Sequence, residues 1–70
     1  MEGRNERFKR IANRRTNNIL NQIRLLGNLS NKSTYDYSED EVNKIFSAIE
    51  TQLRIAKAKF QSHRKKEFKL

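Results

Sequence analysis

Val42, Phe46, Ile49, Leu53, Ala56 and Phe60 are spaced 4-3-4-3-4 along the second half of the chain. An α-helix gathers such a 3.5-residue period onto one side, whereas a strand, with its period of two, would scatter it over both faces. Ser38 followed three residues on by Glu41 forms a capping box that starts this helix, and Glu39 and Asp40 add favourable negative charge to its first turn. The helix is expected to run from about 39 to about 66. Lys65, Lys66 and Lys69 then fall near its C-terminus, where cations are favoured.

The first half obeys the same logic. From Arg7 to Leu26 there is no Gly or Pro, and Phe8, Ile11, Ala12, Ile19, Ile23 and Leu26 recur at helical spacing. This helix is expected over about 5–27, stopping at Gly27-Asn28 because both residues tolerate the left-handed backbone that closes many helices. Residues 28–34 are rich in Asn, Ser and Thr, whose side chains compete for backbone hydrogen bonds, so 28–37 reads as a loop. Tyr35 and Tyr37 are expected in an extended segment that covers the end of the helix pair.

The two stripes match in a single antiparallel register. Phe8 falls opposite Phe60, Ala12 opposite Ala56, Ile19 opposite Ile49, Ile23 opposite Ile45, and Leu26 opposite Val42. The expected fold is therefore all-α, an antiparallel two-helix hairpin forming one domain over 1–70. Its core is thin: the chain is 34% hydrophobic, without Trp, Cys or Pro and with a single His. Disulfides and metals cannot supplement it, and Ile11, Leu20, Leu25, Ala48 and Ile55 flank the seam uncovered. A small chain of this kind is expected to dimerise or to dock on a partner. No apolar run approaches the roughly 20 residues of a membrane span, and the start lacks a signal-peptide segment. No membrane partner and a cytoplasmic location are expected, and the lack of Cys fits a reducing compartment.

Charge is distributed unevenly. Thirteen of the sixteen basic residues lie in 1–16 and 54–70 and face only Glu2, Glu6 and Glu67, which leaves +10 on the ends and −2 between them. A hairpin would bring those ends into one positive pole, attractive to phosphate. On the outermost side of helix one, Arg7, Arg10, Arg14, Asn17, Asn21 and Arg24 form a line without an acid. A merely solvated face normally mixes Glu with Lys and uses strong helix formers. Here the first-turn cations oppose the helix dipole, and each Asn costs about 0.5 kcal/mol relative to Ala. Arg forks grip phosphate and guanine edges, and Asn pairs bidentately with adenine, so the chemistry suits a nucleic-acid groove. The expected nucleic-acid-binding residues are Arg7, Arg10, Arg14, Arg15, Asn17, Asn21 and Arg24, with Lys57, Arg64, Lys65 and Lys66 as sequence-independent phosphate contacts. The competing readings are a solvated face and a surface for an acidic protein.

Catalysis is not expected, and neither is a cofactor or a metal. His63 has no second His or any Cys at ligand spacing, Ser38 is accounted for by capping, and Glu39, Asp40 and Glu41 fan around a helix start rather than facing one another. Gly3 and Gly27 form no phosphate-cradling loop. Tyr35 and Tyr37 could stack on bases, but they sit among acids, away from the basic ends.

The stretch Leu26-Gly27-Asn28-Leu29-Ser30-Asn31, followed by Tyr35-Asp36-Tyr37-Ser38 and Val42-Asn43-Lys44-Ile45-Phe46, resembles a pattern in short uncharacterised proteins of bacteria, phages and mobile elements. It covers about a third of the chain, and its residues concern loop, cap and core. The segment from Arg4 to Arg15 is similar in composition to the arginine-rich helices of phage antitermination proteins, which bind RNA hairpins. The hairpin resembles in architecture a plasmid copy-number regulator that dimerises and binds paired RNA loops, although that regulator is acidic.

Two functions are consistent with these features. One is a small basic accessory protein that binds nucleic acid, structured RNA slightly ahead of DNA, because a linker of about eleven residues is too long for a helix-turn-helix. The other is a protein-interaction module, such as a mobile-element regulator or inhibitor, docking on a larger host protein or nucleoprotein complex.

Overall fold

The computed structural model describes residues 1–62. The end of the second helix expected near 66, together with His63, Arg64, Lys65 and Lys66, lies outside the described residues. Within them the chain is all-helical: α1 spans Arg4–Gly27, a 3-10 turn follows at Asn28–Ser30, and α2 spans Glu39–Ser62. Two compact units divide the chain, residues 1–36 and 37–70.

In the first unit α1 is 24 residues long, about 36 Å at the usual rise. It starts without a side-chain cap. Gly3 stands at the N-cap with extended backbone (φ −73°, ψ 168°), and its carbonyl accepts the first helical bond from the Arg7 amide at 3.0 Å. The helix ends at Gly27, where expected, but without the expected left-handed closure. Neither residue is left-handed: Gly27 has φ −60° and Asn28 φ −65°, ψ −17°. The chain instead tightens into the 3-10 turn, and the Asn28 amide turns onto the carbonyls of Arg24, Leu25 and Leu26. A 3-10 turn thus takes the place of the left-handed closure at this helix end.

Asn31 organises the connection that follows. Its carbonyl accepts from the amides of Thr34 (3.1 Å) and Tyr35 (2.9 Å), and its side-chain oxygen accepts from the Ser33 amide (3.1 Å) and hydroxyl (2.6 Å). This is an Asx-centred turn, the outcome of the local competition that Asn and Ser side chains offer. The bond to the Tyr35 amide closes this turn, and residues 35–38 beyond it belong to neither helix nor strand.

In the second unit the capping box is fully made. The Glu41 amide donates to Ser38 Oγ at 3.1 Å, the Ser38 amide donates to Glu41 Oε1 at 2.9 Å, and the Val42 amide reaches the Ser38 carbonyl at 3.1 Å. Tyr37 and Val42 occupy the two positions of a hydrophobic staple around this cap, and both are half-buried. That places Tyr37 in the entry to α2. Ser38→Ala should cost about 1 kcal/mol of helix stability. The loss should appear as faster amide exchange confined to residues 39–42, and unchanged exchange there would show that the cap is dispensable.

No side chain among the described residues is fully buried. Ile11, Ala12 and Leu26 on α1, and Val42 and Ile49 on α2, are half-buried; Ile19 and Leu20 are each 58% exposed and Leu53 56%. Among the described residues no helix is long and apolar enough to cross a membrane.

Candidate nucleic-acid interface

Because α1 continues unbroken from Arg4 to Gly27, residues of the Arg/Asn line keep a fixed angular relation. At 3.6 residues per turn, Arg7, Arg10, Arg14, Asn17, Asn21 and Arg24 fall within an arc of about 100° and extend about 25 Å along the axis. Arg15 does not share that arc. It lies roughly 80° beyond the Arg7 edge, on the flank that also carries Arg4. Lys57 is exposed on α2 in the second unit, and Arg64, Lys65 and Lys66 are outside the described residues.

The line is not without acids. Glu2, which precedes α1, bonds Arg10 through both carboxylate oxygens: Arg10 Nε donates to Oε2 at 2.8 Å and Nη2 to Oε1 at 3.0 Å. The pair spans eight residues, more than helical pairing rules consider. It forms because helical side chains lean toward the N-terminus, which carries the Arg10 fork back over the first turns. A negative charge there also suits the positive end of the helix dipole, which no side chain caps. Glu6 borders the line as well, at the angular position of Arg24. Neither acid appears when only the outermost helical positions are considered, and the stretch from Glu2 to Glu6 was the signal that could have revealed them.

Further along, the Arg24 guanidinium donates through Nη2 to the side-chain oxygen of Asn21, one turn earlier. This contact engages the oxygen of the Asn21 amide and leaves its NH2 group as a donor. Arg7, Arg14 and Arg15 make no ion pair among the described residues. α1 thus carries three kinds of arginine: one clasped by a carboxylate, one bonded to an amide, and others that make no ion pair among the described residues.

The Glu2 carboxyl is held below its ordinary titration range by the hydrogen bonds from Arg10, and the Arg10 guanidinium is correspondingly raised. Because the folded-state value is depressed, the pair stabilises the helix start above the ordinary Glu range and is lost as pH falls through the lowered value. A carbon-detected NMR titration should therefore find the Glu2 midpoint lower in the native chain than in Arg10→Gln. Equal midpoints would mean the pair is not formed in solution.

Among the described residues no three His, Cys, Asp or Glu side chains come together in a way that could hold a metal ion. On α2, Gln52, Ile55, Ala56, Lys59 and Phe60 line a shallow, largely apolar hollow. Comparisons of the chain with protein-family models, with curated proteins and with solved structures gave no match.

Proposed function

We propose that this protein is a small basic accessory factor that binds nucleic acid through the Arg/Asn line of α1, with structured RNA slightly favoured over DNA. The observation that carries the reading is the line itself: four arginines and two asparagines kept in register by one uninterrupted helix. Arg7 and Arg14 are not neutralised by ion pairs among the described residues, so counterions released on phosphate binding come at little intramolecular cost. In an A-form helix the major groove is deep and narrow, and bulges or loops that widen it admit an arginine-rich helix. Arg15, Lys57, Arg64, Lys65 and Lys66 serve in this reading as backbone contacts outside the line.

The proposal extends to assembly. The stripes of α1 and α2 pair antiparallel with Phe8 opposite Phe60, and the flanking Leu20, Leu25 and Ile55 support a homodimer. The exposure of Leu20 (58%), Leu25 (47%) and Ile55 (46%) supports such an association and equally suits a larger protein partner. Spin labels at positions 8 and 60 should lie well within about 20 Å if the helices pack at the usual 8–10 Å.

The deciding experiment is a salt titration of binding to a structured RNA, a duplex DNA and a single strand. Binding is expected to fall steeply with salt, by slightly less than one unit of logarithmic slope per phosphate contact. If none of the three binds at low ionic strength, the line is not a nucleic-acid site. A protein recovered stoichiometrically from the native host after nuclease treatment would then identify the chain as an interaction module.

A further inference from the structure

Arg10 differs from its neighbours in the line because its fork already holds a carboxylate. Two parallel N–H···O bonds of 2.8 and 3.0 Å join it to Glu2, the same two-point geometry by which a guanidinium grips phosphate. We propose that Arg10 is a phosphodiester contact kept closed by Glu2, whose carboxylate occupies the fork until a nucleic-acid phosphate displaces it. This inference rests on the nucleic-acid reading above and adds an internal competitor to that site.

Three features support a reversible clasp over a fixed structural bond. First, Glu6 stands four residues before Arg10, the ordinary spacing for a pair within a helix, yet Arg10 is engaged by Glu2 from outside the helix. The first helical hydrogen bond is anchored at the Gly3 carbonyl, so Glu2 can swing away without breaking any helical bond. Second, the two side chains are 52% and 36% exposed, and ion pairs in water are weak enough to be exchanged readily. Third, Arg7 and Arg14 stand one turn to either side of Arg10. Both add attraction for an incoming phosphate, whose backbone carries successive charges, that a single carboxylate cannot match.

The clasp also bears on selection among ligands. A lone anion gains little by displacing Glu2. A phosphodiester chain that meets Arg7, Arg10 and Arg14 together replaces one carboxylate contact with several phosphate contacts. Glu2 therefore suppresses weak, single-point binding more than it suppresses binding to an extended backbone.

The test is a double-mutant cycle on the full chain with a fluorescein-labelled RNA hairpin as probe. Glu2→Gln should raise affinity about two- to fivefold, the range that exposed ion pairs support. Glu6→Gln removes the same charge from a residue that makes no ion pair among the described residues, and it should raise affinity less. With Arg10→Ala in the background, the gain from Glu2→Gln should shrink to that of Glu6→Gln. If Glu2→Gln and Glu6→Gln are equal, or if the Glu2 effect survives without Arg10, Glu2 acts only through the general field and the clasp is overturned. A second measurement follows the Arg10 Nε–H resonance in the absence of RNA. It should move when Glu2 becomes Gln, and a resonance identical in both chains also overturns the proposal. The nucleic-acid reading fails separately, if neither the native chain nor Glu2→Gln binds RNA at low salt.

Discussion

Replacing Arg10 and Arg14 together by Ala is expected to weaken binding to a preferred structured RNA by roughly 30-fold or more, and to narrow the difference between that RNA and others. Each well-placed arginine contact to a base or phosphate contributes about 1–3 kcal/mol, so two of them account for a loss of this size. Arg14 should carry the larger share, because it makes no ion pair among the described residues, whereas Arg10 must first release Glu2. Ala is a stronger helix former than Arg, so circular dichroism should show α1 intact and the loss cannot be assigned to unfolding. The contrasting variant removes Lys65 and Lys66. It should weaken all nucleic acids alike and lower the salt slope by at most about two units, as expected of contacts that position without reading sequence. If the two double variants behave identically, the line contributes charge and nothing more.

The local elements were legible in the sequence because their signals are themselves local. Ser38 and Glu41 are three residues apart, and a capping box needs only those two side chains and their own amides. The 4-3-4-3-4 spacing from Val42 to Phe60 likewise follows from helix period alone. The end of α1 at Gly27 was legible, but its closure was not: Gly27 permits a left-handed backbone without requiring it, and the chain takes a 3-10 turn instead. An aromatic beside a cap fits a staple as well as a covering segment, and Tyr37 is half-buried, as is Val42. Along α1, periodicity groups Arg7, Arg10, Arg14 and Arg24 within one arc of an unbroken helix. It missed Glu2, because a residue outside the helix obeys no helical spacing and reaches Arg10 through the lean of long side chains toward the N-terminus.

Asn17→Pro should have the largest structural effect, since Asn17 lies near the middle of α1 and of the line it carries. Proline removes the amide that would donate to the carbonyl four residues earlier, and its ring clashes with that carbonyl, at a cost of about 3 kcal/mol. No side chain of α1 is fully buried, so little packing within this unit opposes the break, and isolated helical segments of the remaining length are marginal in water. Helical ellipticity should fall by a turn or more. RNA binding should fall with it, because Arg7, Arg10 and Arg14 would no longer share an axis with Asn21 and Arg24. Asn17→Ala separates the chemistry of the side chain from the continuity of the helix. It should raise helicity by several tenths of a kcal/mol, since Ala is the better helix former, while lowering RNA affinity if the Asn17 amide contacts a base. A chain that gains helix and loses affinity would show that Asn17 is kept for its ligand at the expense of the fold. Unchanged affinity in Asn17→Ala, combined with a loss in Asn17→Pro, would make Asn17 a spacer within a line whose arginines do the binding. Full affinity in Asn17→Pro would mean that a continuous helix is not what the nucleic acid recognises, and the site on α1 would have to be abandoned.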